Sequence, residues 1–128
     1  MASEAWGARG ATGRRAEALA ADWLERTGFR IVARNWRRPE GELDLVADHE
    51  GTCVFIEVRS RTGLERGDPL ESITPRKRAR VIRAARLYLD CERTSAAAYR
   101  FDVVGVTFSP DGDEPVICHV AGAFDLNG

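Results

Sequence analysis

The stretch from Glu42 to Arg61 constrains the fold more than any other part of the chain. ELDLVAD (42–48) and CVFIEVRSR (53–61) both read as strands, and only HEGT separates them, so they must fold back on each other as a hairpin. Pairing Asp48 with Cys53 sets Ala47 opposite Val54, Leu45 opposite Ile56 and Leu43 opposite Val58, an entirely apolar side. On the other side Val46 faces Phe55, Asp44 faces Glu57 and Glu42 faces Arg59. A slip of one residue would set apolar against charged side chains throughout, and a buried face specifies register strongly.

That register has a chemical consequence. Directly opposed side chains have their Cβ atoms roughly 4.5–5.5 Å apart, and like charges there are destabilising. Asp44 and Glu57 therefore need a remedy. One carboxyl can hold a proton, or a divalent cation can sit between them. Magnesium suits such a place, since it is bound through one or two carboxylates and completes its shell with water and phosphate oxygens. Glu57 also interrupts the apolar run Phe55, Ile56, Val58, where an acid without a partner is costly. For a single strand acid the commoner explanation is an ion pair, here with Arg59 or Arg61, and Glu42 opposite Arg59 is an ordinary cross-strand pair. For two acids on one face the metal is the better explanation.

The remaining elements are predicted around this hairpin. Ala16, Leu19, Ala20, Trp23 and Leu24 carry helical spacing, which predicts a helix over 13–27 that Gly28 stops. Strands are predicted over 29–36, 100–108 and 116–120, with turns at 37–41 and 109–115 and a polar loop at 62–69. Thr74-Pro75 supplies an N-cap and a proline at the first helical position, so a second helix runs from there to about Asp90. Residues 1–12 are expected to be a flexible tail, and 13–125 one domain. The order is αβββαββ, an α/β fold with a mixed five-stranded sheet flanked by helices. The chain has 128 residues, 44% of them hydrophobic and 30% charged, enough for one core and too apolar for disorder. No apolar run reaches the roughly 20 residues of a membrane span, so no membrane partner is expected. The opening residues lack the apolar stretch of a secretory leader. Cys53, Cys91 and Cys118 are an odd, scattered set, unlike a disulfide framework or a zinc site. The expected compartment is the cytoplasm. No phosphate-loop, dinucleotide or nucleophile-elbow motif occurs.

At this point the residues resemble a known group. GELDLVA followed by VFIEVRSR is similar to the PD-(D/E)xK nuclease core, with Asp44 as the Asp and Glu57-Val58-Arg59 as the (D/E)xK. AEALAADWL, RNWR, the helix opening ITPRK, YRFDVV and the closing AF extend the likeness from about residue 13 to 125. Together they resemble the YraN-like predicted endonucleases, which are similar to archaeal Holliday-junction resolvases in motif order. The resemblance implies a restriction-endonuclease-like fold, Mg²⁺ or Mn²⁺ as cofactor and DNA as partner, branched DNA included; by analogy with resolvases it implies a homodimer. It also implies that Asp44 and Glu57 ligate the metal with the Val58 carbonyl as an extra ligand, and that Glu17 supports it.

Four further features bear on this. Glu17 lies one step off the apolar stripe beside Ala16, Ala20 and Ala21; from the residues alone a solvated helix glutamate is an equal alternative. Arg59 stands where the motif usually has Lys. Arginine stays protonated and cannot be a general base, but it can stabilise charge in a transition state; Lys77 is the reserve cation. The second helix carries Arg76, Lys77, Arg80 and Arg83 at its start. Cations there oppose the helix dipole, which favours a phosphate-binding role over a stabilising one. Asp102 shares a strand face with Val104 and Val106, where a half-buried Asp most often satisfies a neighbouring Arg or backbone group; with Glu42 it is expected to support the site from behind rather than to ligate the metal. Two other readings stay open: a non-catalytic nucleic-acid-binding protein with the same fold, and a metal-free glycosidase using the two carboxyls.

Overall fold

In a computed structural model of the chain, residues 6, 10–63, 68–92, 96 and 98–125 are described. The elements follow in the order α1 (Gly10–Arg26), β1 (Arg30–Arg38), β2 (Gly41–His49), β3 (Thr52–Thr62), a short 3-10 helix (Pro69–Ser72), α2 (Pro75–Glu92), β4 (Ala98–Phe108) and β5 (Val116–Phe124). The expected αβββαββ order is thus present in one α/β domain. The five strands form one sheet in sequential order. Every neighbouring pair is antiparallel except β3 and β4, which run parallel because α2 carries the chain back across the sheet. No described helix is long and apolar enough to cross a membrane.

The two helices cover opposite faces. Ala16, Ala20, Ala21 and Leu24 of α1 pack on Leu45, Val54, Ile56, Val58, Val104 and Val106. The alanines let the helix lie close to the sheet. On the other face Val81, Ile82, Ala84, Ala85 and Tyr88 of α2 pack on Trp36, Val46, Phe55, Phe101 and Val103. This arrangement sorts the strand residues by parity, so Glu57, Arg59 and Arg61, which follow Phe55 at every second position, point to the α2 side.

Several boundaries move for identifiable reasons. Helix α1 begins at Gly10, inside the stretch expected to be a flexible tail, and ends in a paired cap: Phe29 N–H bonds to the Leu24 carbonyl at 2.9 Å and Gly28 N–H to that of Glu25, with Gly28 at φ 100°. Strand β5 continues to Phe124, four residues past the expected end, because Gly122 gives its N–H to the buried Asp102. Thr74 caps α2 as expected, its hydroxyl accepting the Lys77 N–H at 3.2 Å.

Candidate functional site

The hairpin closes through a two-residue turn, Glu50-Gly51, both at positive φ, which matches the twist of the strands it joins. Its register is the expected one: Asp48 pairs with Cys53, Ala47 with Val54, Val46 with Phe55 and Leu45 with Ile56. The ladder stops there, immediately before Asp44 and Glu57. Strand β2 continues alongside β1, where Trp36 faces Leu43 and Arg37 faces Glu42. Asn35, which the register would set opposite Asp44, is left out of the pairing and has φ 50°. Leu43 and Leu45, two residues apart, fall in opposite core clusters. The strict alternation of β2 therefore breaks at Asp44.

This break turns the Asp44 carboxylate toward β3, where its Oδ2 accepts the Val58 N–H at 2.8 Å. A side chain thus takes the place of a ladder carbonyl. Glu57 hydrogen-bonds to the same carboxylate. Both groups titrate above their ordinary values. For Asp44 burial is the main cause, partly offset by the hydrogen bonds it accepts. For Glu57 burial acts first and the charge of Asp44 second, and its value rises well above the usual glutamate range. The contact between them therefore disfavours ionising both at once. Glu17 of α1 belongs to the same group: its pKa is raised by burial and then by the charge of Asp44, while a hydrogen bond with Asn35 and the charge of Arg37 oppose the rise. The tertiary structure thus brings a helical acid from the other layer to the pair. Asn35 was missed in the sequence; the available signal was an Asn, one of the few residues that tolerates positive φ, inside a predicted strand.

Arg59 corrects an expectation. It does not pair with Glu42. The break in β2 carries Glu42 to the β1 side, where Arg37 Nε meets it at 3.1 Å. Glu42 contributes charge to the site, raising the pKa values of Asp44, Glu57 and Glu17. Arg59 is buried to 9% exposure, and its Nε donates to Ser72 Oγ at 3.0 Å and one terminal nitrogen to the Trp6 carbonyl at 3.3 Å. Its charge lowers both carboxyl pKa values without making a direct ion pair. Lys77 converges on the same loop, with Nζ 3.5 Å from the Ser72 carbonyl, so the two cations flank Ser72.

Arg76, Lys77, Arg80 and Arg83 are exposed on α2. Helix and site are held together at Gly41: a β-carbon there would lie 3.1 Å from Ala84 Cβ and 3.4 Å from the Arg80 carbonyl. The start of β2, three residues before Asp44, therefore lies directly on the basic helix.

Asp102 does not join this group. It sits on the α1 face, fully buried, beside Ile56. Arg100 donates to both of its oxygens at 3.0 and 3.2 Å, His119 Nε2 lies 2.7 Å away, and Gly122 N–H donates at 3.0 Å. Burial alone would raise its pKa, but the bonds from His119, Arg100 and Gly122 outweigh that and lower it. The expectation that Asp102 supports the acidic pair is replaced by a self-contained cluster. The His119 ring packs edge-on to Trp23 at 5.1 Å and near Phe29 at 5.6 Å.

A family model, the uncharacterised protein family UPF0102, matches residues 16–106. The chain belongs to the UPF0102 family. It is 42% identical to a UPF0102 protein of Syntrophotalea carbinolica over 91% of this chain and 93% of the relative. It is 48% identical to one of Anaeromyxobacter dehalogenans over 94% and 88%, and 45% identical to one of Nocardia farcinica over 92% of each. This is the YraN-like family whose motifs the sequence carries. The UPF0102 match spans Glu17, Asp44, Glu57, Arg59, the α2 cations and Asp102; His119 lies beyond it.

The donors of this UPF0102 site can be set against what a divalent ion requires. Among the described residues no three His, Cys, Asp or Glu side chains form a ready metal cluster. Two carboxyls do meet, at a gap between strands. In an extended strand the N–H and C=O of one residue point the same way. Because Val58 N–H points at Asp44, its carbonyl faces the gap too. Two carboxylates and a carbonyl, all oxygen donors, fit Mg²⁺ or Mn²⁺ better than zinc, which is held mostly by nitrogen and sulfur ligands.

Proposed function

We propose that this UPF0102 protein is an endonuclease that hydrolyses DNA phosphodiester bonds with Mg²⁺ or Mn²⁺, with branched repair or recombination structures as candidate substrates. The observation that carries the reading is the Asp44–Glu57 pair. Two acids with raised pKa values meet at a break in the sheet, a third lies in the field of Asp44, and an arginine stands beside them. A hydrogen-bonded acid pair is an expensive way to build a sheet, and a divalent ion removes that expense.

The ion, when bound, supplies a water of lowered pKa and neutralises charge on the phosphate. Asp44 and Glu57 would hold it, with the Val58 carbonyl as a further ligand. Glu17, hydrogen-bonded to Asn35, would support the ion from beside Asp44. Arg59, oriented by Ser72, presents N–H donors where negative charge grows on the phosphate oxygens. The start of α2, with Arg76, Lys77, Arg80 and Arg83, holds the neighbouring backbone.

A second reading, a nucleic-acid-binding protein without turnover, draws on one observation: position 59 holds an arginine, already bonded to Ser72 and the Trp6 carbonyl. A cleavage assay on linear and branched DNA with Mg²⁺ or Mn²⁺, run beside a binding assay, separates the two. Cleavage that Asp44→Asn abolishes supports the nuclease. Binding without any cleavage by the wild type overturns it.

A further inference from the structure

Trp6 occupies a place that nothing in the site chemistry requires it to fill. Its carbonyl oxygen takes an N–H of Arg59 at 3.3 Å. Its indole lies against the Arg61 guanidinium, whose central carbon is 4.0 Å from the ring centroid. The Arg61 plane is held for this contact by Nε donating to Thr107 Oγ1 at 3.1 Å. The floor is Gly105, where a β-carbon would come within 2.9 Å of the indole and 2.8 Å of Pro69. Only a glycine leaves this slot open. Arg59 and Arg61 point to the same face as Glu57 at successive alternate positions, so the slot lies on the order of 13 Å along β3 from the acids.

A hydrogen-bond acceptor on one arginine and a flat aromatic ring stacked on the next is the pattern a nucleotide presents: phosphate oxygen, then base. Arginine guanidinium planes stack on unpaired bases, which a base inside a duplex cannot offer. We propose that Arg61, Gly105 and Pro69 form a stacking subsite for an unpaired nucleobase, and that Trp6 of the chain's own N-terminal segment fills it in competition with nucleic acid. The substrate feature recognised is therefore a single-stranded nucleotide beside the cleaved phosphate, as at a flap or a junction. The proposal deepens the nuclease reading; its test measures binding without metal, so that it stands or falls apart from cleavage.

The test uses fluorescence anisotropy in EDTA on the full chain, with a short labelled thymidine strand and the same strand made abasic. Trp6→Ala should tighten binding of the thymidine strand about tenfold if the indole fills the slot nine-tenths of the time. The abasic strand should gain clearly less. Arg61→Lys, added to Trp6→Ala, keeps the charge and loses the flat stacking surface, and should erase the preference for bases over abasic sites. Equal gains on both strands would reduce Trp6 to a cover over positive charge and overturn the subsite. No gain on Trp6→Ala, or a base preference that survives Arg61→Lys, would overturn it as well.

Discussion

Two acid clusters, one fully buried and one half-buried, lie on opposite faces of the same sheet and solve the same problem in opposite ways. Asp102 has zero exposure, yet a guanidinium, an imidazole and a backbone N–H satisfy both of its oxygens, and its pKa falls. Asp44 and Glu57 receive one backbone N–H and each other, with Glu42 adding negative charge, and their pKa values rise. Desolvation pushes the acids of both clusters upward, so it does not set the sign of the shift. The partners do. An acid whose folded partners complete it stabilises the fold, whereas an acid that meets another acid leaves a deficit of positive charge for a ligand to fill.

The comparison breaks first if the pair is not a cation site. Asp44→Asn and Glu57→Gln are each expected to abolish Mg²⁺ or Mn²⁺ binding in calorimetry. Each should also raise the stability of the metal-free protein by on the order of 1 kcal/mol, since a like-charge cross-strand contact is relieved. Losing stability in both variants would make the pair structural, like Asp102. The converse change is Asp102→Ala, expected to cost about 3 kcal/mol in urea unfolding because it strands Arg100 and His119, while leaving metal affinity unchanged. Arg59→Ala should slow cleavage roughly 10²–10³-fold, as loss of a preorganised donor does elsewhere, with little change in DNA affinity. Arg59→Lys should keep much of the activity.

A pH series sharpens the contrast because the signs are opposite. The pair has raised pKa values in the folded state, so its stabilising proton is fully present below the unfolded values near 3.8 and 4.5 and is lost as pH rises through the folded ones. Metal-free stability should therefore increase on going from neutral to mildly acidic pH, and Glu57→Gln should flatten that increase. Asp102 has a lowered pKa: its contribution is present above about 3.8 and disappears only as pH falls through its folded value. The smallest effect is expected from the exposed helix. Reversing Arg76, Arg80 and Arg83 to Glu should weaken binding to all DNA sequences alike and flatten the salt dependence; an unchanged salt slope would remove α2 from the interface.

Much of this was legible along the chain, and the reason differs by residue. The register from Leu45 to His49 followed from the apolar side of the hairpin, but the ladder ends before Asp44 and Glu57, and Leu43, expected opposite Val58, faces Trp36 instead because β2 turns away there. Thr74-Pro75 announced α2 because capping is a local event. Glu17 was undecidable locally: whether a helix glutamate meets solvent or a strand depends on how α1 is docked, and Ala16 and Ala20 supply that only once the sheet exists. The Glu42–Arg59 pair was wrong because Asn35 at positive φ lets β2 leave β3 before Glu42. For Asp102 a neighbouring Arg or backbone partner was the commoner expectation and Arg100 fills it, but His119 and Gly122 could not be named in advance, since they come from β5 across the sheet.

Sequence alone determined the element order, the hairpin register and the presence of two opposed acids, because turn length, capping and period-two alternation act over a few residues. Tertiary structure decided which of the acids would be in conflict. The direction of a buried carboxylate depends on where a ladder ends and which strand lies beside it, and those are properties of contacts between residues far apart in the chain. Arg59 and Arg61 show the same division: their alternation along β3 fixes the face they share, but only the docking of Trp6, Ser72 and Thr107 sets what each guanidinium is aimed at.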